Sequence, residues 1–357
     1  MLRIERFPGN PLITPADVKP SRPDFEVICV FNPGAIRFKD EILLLVRVAE
    51  RPVQDDPAVV KVPILSLAED GRWKMAVHAF RWDDPNVDLS DPRLVRLPGG
   101  IMLTSISHLR LARSKDGRRF TIDDQPAIFP DRPSEALGIE DPRITEIDGA
   151  YYIVYKSVEP RGITQTLAIT RDFVTYEKLG IIFCPENMDV CIFPERIRGR
   201  YAALHRPQPR MIGDPNIWLA YSPDLIHWGD HRFLMGVEPG GGRIGGGTVP
   251  IKTDHGWLII YHAATPDDHY CLAAVLLDLE HPERILAITP QPFMRPETPY
   301  ETTGFMPNVV FTCGAIVDGD RISIYYGAAD QVVAGADISL AELMAEMVDA
   351  EQVGSRD

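Results

Sequence analysis

Short apolar runs rich in β-branched and aromatic residues recur along the whole chain, broken by Gly or Asp turns. Six segments share this layout. They read NPGAIRFKDEILLLVRV from Asn32, DPRLVRLPGGIMLTSIS from Asp91, DPRITEIDGAYYIVYKS from Asp141, FPERIRGRYAALHRP from Phe193, VPIKTDHGWLIIYHA from Val249 and CGAIVDGDRISIYYGAA from Cys313. The turns -KDE-, -PGG-, -DGA-, -RGR-, -DHG- and -DGD- suit tight hairpins, because Gly and Asp accept the positive φ that such turns require. Three hairpins lead into a further strand and a Ser/Thr-x-Asp turn, in LRLARSKDGRRF, TLAITRDFVTYEKL and IWLAYSPDLIHWGDH. Four-stranded antiparallel units spaced by roughly 50 residues, with no helices between them, predict an all-β chain folded as a β-propeller. A pair of β-sandwiches is the competing architecture. The pattern turns helical only near the C-terminus, where Leu340, Leu343, Met344 and Met347 predict a short helix over about 339–351.

The chain has 357 residues, 45% of them hydrophobic, with 32 prolines and 27 glycines that punctuate turns and strand edges. One propeller domain over 1–357 accommodates that length. Its net charge of -14 and lack of basic runs argue against a nucleic-acid partner. Five cysteines without a Cys-x-x-Cys pair argue against both a disulfide framework and a metal knuckle, so no metal is expected. The N-terminal MLRIERFPGNP lacks the apolar core of a secretory signal, and no run of about 18 apolar residues offers a membrane span. A cytoplasmic location without membrane partners is the expectation; homo-oligomerisation is left open.

Propellers gather function at one end of the central axis, where the innermost strands begin or end. The segments GIEDPRI, FPERI with LHRP, WLAYSPDLIHWG, GGGTVPIKTDHGWLIIYH, LLDLEHP and YETTGFMPNVVFTCGAIVDGDRISIYYGAAD, together with NPGAI and VRVAER, resemble glycoside hydrolase family 130. That family comprises β-mannoside phosphorylases and β-mannosidases. The resemblance implies a five-bladed propeller. The stretch of about 50 residues between Arg51 and Ser107 departs from it, and its four strand-like runs amount to a sixth blade. The repeat count therefore favours six blades over a decorated ring of five, with the extra blade over about 52–106.

The resemblance makes Asp141 the proton donor to the glycosidic oxygen, acting through a sugar hydroxyl. Such an acid has to hold its proton near neutral pH, and the neighbouring Glu140 is a source of negative charge for that. Asp91-Pro92-Arg93 repeats the same triplet, so Asp-Pro is also readable as a plain strand start. The resemblance further places phosphate on Arg206, His262 and Tyr270, and sugar on Asn32, Arg47, Glu140, His205 and Asp330. The family's basic residue in an Asn-Lys-Asp segment is Met188 here, and methionine cannot bind an oxyanion. Arg210 and Arg243 are candidate replacements. Alternatively water is the nucleophile, with Asp189 or Glu195 as base. Trp218, Trp228, Trp257 and Tyr300 are candidate sugar platforms, and the glycine-rich GGGRIGGG suggests close approach of backbone to substrate.

The expected activity is inverting phosphorolysis of a β-mannoside to mannose 1-phosphate. A small oligosaccharide and inorganic phosphate are the partners, and no cofactor is needed. An inverting β-mannosidase and a non-catalytic glycan-binding propeller are the alternatives.

Overall fold

The computed structural model describes residues 2–91, 93–238 and 240–350. Five antiparallel sheets surround one axis. The first blade contains Phe25–Phe38, Glu41–Pro52, Ile106–Ser114 and Thr121–Ile122. The second contains Ile139–Ile147, Ala150–Glu159, Gly162–Thr170 and Glu177–Phe183. The third contains Asn187–Ile192, Tyr201–Pro207, Ile217–Ser222 and Gly229–Met235. In the fourth, Arg243–Gly246 and Ile251–Thr253 both pair with Gly256–Ala264, and Tyr270–Leu277, Ile285–Ile288 and Val348–Asp349 follow outward. The fifth contains Val310–Asp318, Arg321–Ala328 and Val332–Ser339, with Glu5–Arg6 as its outermost strand.

Blades are buried on both faces, which explains why their second strands read as continuous apolar runs. In EILLLVRV, Leu44, Val46 and Val48 pack toward the fifth blade, while Leu43 and Leu45 pack toward the second. All five are fully buried. Truncating one of the three leucines to alanine costs about 2–5 kcal/mol. The Ser/Thr-x-Asp turns recur as read. Asp116, Asp172 and Asp224 each accept from two backbone N–H groups just downstream.

The ring has five blades, which corrects the repeat count of six. The inserted stretch forms two separate hairpins, Val59–Leu67 with Trp73–Arg81 and Leu94–Leu97 with Gly100–Leu103. In sequence they are inserted between the second and third strands of the first blade but form separate sheets: Glu41–Pro52 pairs directly with Ile106–Ser114, Glu50 opposite Ile106. The hairpins share a small apolar cluster around Val60, Val62 and Val95. That gives them a core of their own and no place at the axis. Asp91 caps the N–H of Arg93 and ion-pairs its side chain in an exposed turn, so the second Asp-Pro-Arg is local turn chemistry; Pro92 lies outside the described residues. The C-terminal helix spans Leu340–Glu346, capped by Ser339 and buried through Leu343, and is shorter than expected. Residue 351 lies outside the described residues.

Candidate active site

Three innermost strands carry the same irregularity. The pairing register slips between Phe31 and Gly34, between Glu140 and Arg143, and between Met188 and Cys191. At each slip one residue takes a left-handed backbone: Asn32 at φ 47, Asp141 at φ 50 and Asp189 at φ 56. A bulge re-aims a side chain that regular pleating would send toward a neighbouring blade, and Asn and Asp are the non-glycine residues that tolerate this geometry best. Asn32, Asp141 and Asp189 are thereby buried together in one charged network.

Asp141 is the junction of that network. Its Oδ1 accepts from Asn32 Nδ2 at 2.9 Å and from Arg47 Nη1 at 3.2 Å. Its Oδ2 accepts from Lys156 Nζ at 2.6 Å. Arg47 also holds Glu140 at 2.7 Å and Ser107 Oγ at 3.0 Å, and its guanidinium lies over the Phe31 ring. Burial alone raises a carboxyl's pKa, but Lys156 and Arg47 outweigh it and hold Asp141 well below the usual range. This corrects the expectation of an acid kept protonated with help from Glu140: Arg47 spans both carboxylates. The carboxyl shifted upward is Asp330, also left-handed at φ 50. Burial, with Asp141 and Glu140 adding negative charge against Arg47 and Lys156, pushes it up to about 6.

Asp189 organises the second half of the site. Its Oδ2 accepts from Arg206 Nε at 2.9 Å and lies 3.5 Å from His262 Nε2. Its Oδ1 lies 3.3 Å from Arg143 Nη2 and 3.6 Å from Lys156 Nζ. Asp189 is fully buried, and those cations hold its pKa far below the usual carboxylate value despite burial. Burial lowers His262 to about 3, so its ring is neutral. Its Nδ1 is buried without a partner among the described residues. His262 packs against Phe311 and Tyr270, and the Tyr270 hydroxyl accepts from Arg243 Nε at 2.7 Å. Arg206, His262 and Tyr270 are thus brought together as expected.

The remaining candidates sort clearly. Met188 lies opposite Arg206 in the sheet, its Sδ 3.0 Å from Arg206 Nη2. Arg210 pairs with Glu186 at the surface. Arg243 also pairs with Asp268, so of the two candidate replacements only Arg243 borders this pocket. Glu195 pairs with Lys252 at the surface, away from this network. His205 is not in the charged group. It lies one position before Arg206 and so on the opposite face of the strand, stacked on Phe183 and hydrogen-bonded to Asn187 and His231. Trp257 is core, Trp228 stacks on Phe183, Trp218 meets Phe233 and Tyr300 binds Asn10. The glycine-rich segment does allow close approach, but to protein groups: a Cβ on Gly245 would overlap Asp189 Oδ2 and His262, and one on Gly246 would overlap the Cys191 sulfur. Arg143 donates to the carbonyls of Gly246 and Gly247 at 2.6 and 2.8 Å.

The sequence reading missed Lys156 and Arg143. Both are strand residues whose position on an otherwise apolar blade was the available signal. A groove of about 720 Å³ at the edge of the fifth blade, lined by Arg3, Asp318, Asp320 and Glu342, holds none of the candidates. The buried charges at the axis mark the site.

A five-bladed propeller whose axial strands converge on paired carboxylates beside an Arg-His-Tyr cluster defines a carbohydrate-active enzyme. A family model described as Glyco_hydro_130, β-1,4-mannooligosaccharide phosphorylase, matches residues 101–349, and the chain belongs to that mannoside phosphorylase family. It is 46% identical over 353 residues to a β-1,2-mannobiose phosphorylase of Listeria innocua, covering 97% of this chain and 99% of the relative. The solved structure of the Listeria innocua β-1,2-mannobiose phosphorylase with β-1,2-mannobiose superposes with a TM-score of 0.92 over 96% of this chain and 99% of that one. A 1,2-β-oligomannan phosphorylase of a Thermoanaerobacter species is 40% identical over 244 residues, 67% of this chain and 80% of the relative.

Proposed function

We propose that the protein is an inverting β-1,2-mannobiose phosphorylase that releases mannose 1-phosphate and mannose. The observation that carries this reading is the fixing of Arg206 by a buried carboxylate, Asp189, beside His262 and Tyr270. With Nε held by Asp189, the outer nitrogens of Arg206 rest on neutral acceptors, Gln208 Oε1 at 2.7 Å and Met188 Sδ at 3.0 Å, and an oxyanion is the stronger partner for them. The similarity to β-1,2-mannobiose phosphorylase over nearly the whole chain supports the linkage.

Asn32, Arg47 and Asp330 hold the mannosyl unit to be transferred. Asp141 supplies the proton that leaves with the glycosidic oxygen, relayed by a sugar hydroxyl. Phosphate on Arg206, His262 and Tyr270 attacks the anomeric carbon from the opposite face and inverts it. Hydrolysis requires a free carboxylate to activate water. Both oxygens of Asp189 are committed to cations, and Glu195 lies at the surface, which disfavours that alternative. Met188 leaves the pocket one charge-assisted bond short, so weak phosphate affinity goes with this reading. We place the reaction in the cytoplasm, where a sugar phosphate is retained.

The test is product identification after incubation with β-1,2- and β-1,4-mannobiose, with and without phosphate. Mannose 1-phosphate from the β-1,2 substrate only in phosphate is the expected result. Equal release of free mannose without phosphate overturns it.

A further inference from the structure

Asp141 meets two opposed demands. The proposed phosphorolysis, on which this inference rests, needs its carboxyl protonated, yet the free protein surrounds it with cations. Lys156 donates to one oxygen at 2.6 Å, and Arg47 and Asn32 occupy the other. Glu140 and Asp330 face it with negative charge, tempered by Arg47. Asp189, Arg143 and the buried Cys313 thiol complete the surrounding ionisable groups.

Lys156 is the group that touches both halves of the site. Its ammonium lies 2.6 Å from Asp141 Oδ2 and 3.6 Å from Asp189 Oδ1, and Asp189 is the carboxylate that holds Arg206 and neighbours His262. Alternation explains the reach. Val154 packs toward the third blade, and Lys156, two residues on, shares that face. Its flexible four-carbon stem lets the charge move between partners where a planar guanidinium would be fixed.

We propose that Lys156 couples phosphate arrival to the arming of the acid: before phosphate binds, its ammonium pairs with Asp141, and a phosphate dianion seated on Arg206 and His262 draws it away, so that Asp141 takes up one proton. With Lys156 turned to the anion, Arg47 is the one cation left on Asp141, beside the neutral Asn32, and burial then favours the neutral carboxyl. The proton comes from solvent. It passes through the relaying hydroxyl to the glycosidic oxygen as the C1–O bond breaks, while a phosphate oxygen bonds to C1. The hydrogen that arrived on phosphate returns to solvent from the product ester. Lys156 acts through Asp141 and is a positioning residue. The acid then carries its proton only when the intended nucleophile is in place.

Calorimetric titration of the full-length protein with sulfate and with phosphate, in two buffers of different ionisation enthalpy, tests this. Sulfate mimics the dianion without a titrating proton of its own. The wild type takes up about one proton per sulfate bound, and Asp141→Asn binds sulfate with none. Lys156→Met binds sulfate more weakly and with no linked proton, because its acid is protonated without the anion. Sulfate binding without proton uptake in the wild type overturns the coupling, as does uptake that persists in Asp141→Asn. Those two arms decide even if Lys156→Met does not fold. A wild type that binds neither anion overturns the phosphorylase reading itself, an outcome distinct from binding without proton uptake.

Discussion

Asp189 Oδ2 accepts from Arg206 Nε at 2.9 Å, and both side chains are buried beside the axis. The carboxylate fixes the guanidinium at Nε, and the outer nitrogens donate to neutral groups, Gln208 Oε1 at 2.7 Å and Met188 Sδ at 3.0 Å, which are weaker partners than an anion. In Arg206→Ala that grip is lost. Steady-state kinetics with phosphate varied at fixed β-1,2-mannobiose should show the phosphate KM rising at least ~10-fold, the value of one charge-assisted contact of roughly 1.5–3 kcal/mol. Mannobiose binding measured without phosphate should change little. Unchanged phosphate kinetics in a folded Arg206→Ala protein sinks the phosphate-site assignment.

Asp141→Asn should remove at least ~10²-fold of kcat on β-1,2-mannobiose, the usual worth of a positioned acid. Asparagine accepts the left-handed φ of 50 at this position, so the ring should remain folded by circular dichroism. Near-normal turnover of an unactivated mannoside would exclude Asp141 as the acid.

The glycines beside Asp189 are a separate lever. A methyl at Gly245 would overlap Asp189 Oδ2 and the His262 ring, both fully buried and unable to yield. Gly245→Ala should therefore lower the thermal midpoint by several degrees, corresponding to about 1–3 kcal/mol of overpacking, and should raise the phosphate KM. Gly149→Ala, at a hairpin tip with open space around it, is the control for a local backbone effect on stability with no effect on phosphate.

Asp330 gives a pH signature of opposite sign to ordinary acid unfolding. Its folded pKa of about 6 exceeds the unfolded value of ~3.9, so its ionised form destabilises the fold above that range, and the penalty fades as pH falls from 6 toward 4. Asp330→Asn should raise the thermal midpoint at about pH 8 and lose that advantage below about pH 4. Activity should fall at the same time, because a sugar contact is altered. A thermal gain that is flat with pH would show that the carboxyl is not strained in the fold.

The hairpin turns and the apolar second strands could be read along the chain, because turn chemistry and two-faced burial leave local marks, whereas Asp141, Arg206 and His262 stood out only through the resemblance of their motifs to the family's. The blade number could not be read. Leu94–Leu97 and Gly100–Leu103 have the same turn and strand composition as a true blade hairpin, and only the direct pairing of Glu50 with Ile106 shows that they stand outside the ring. Arg47 and Lys156 illustrate the second limit. Each is a charged residue in an apolar strand, and the neighbouring blade it faces decides whether it meets Glu140 or Asp189. His205 shows that simple alternation, applied from Arg206, already sends it to the other side of the sheet. The ionisation of Asp141 lay beyond sequence reading, since its strongest partner is 15 residues away on the next strand.

The fifth blade takes its outer strand from the other end of the chain, with Glu5 opposite Asp337 and Arg6 opposite Ala336. Arg6 also reaches across to the buried Glu301. During synthesis the segment made first has no partner until the final blade emerges, so the pairing that helps turn an open row of sheets into a closed cylinder is a non-local one with a large loop-closure cost. Within the closed ring Asn32 of the first blade lies so close against Gly327 of the fifth that a Cβ there would overlap the Asn32 side-chain amide. The axis is therefore shared across the seam where these two blades meet, and its geometry depends on residues drawn from both ends of the chain.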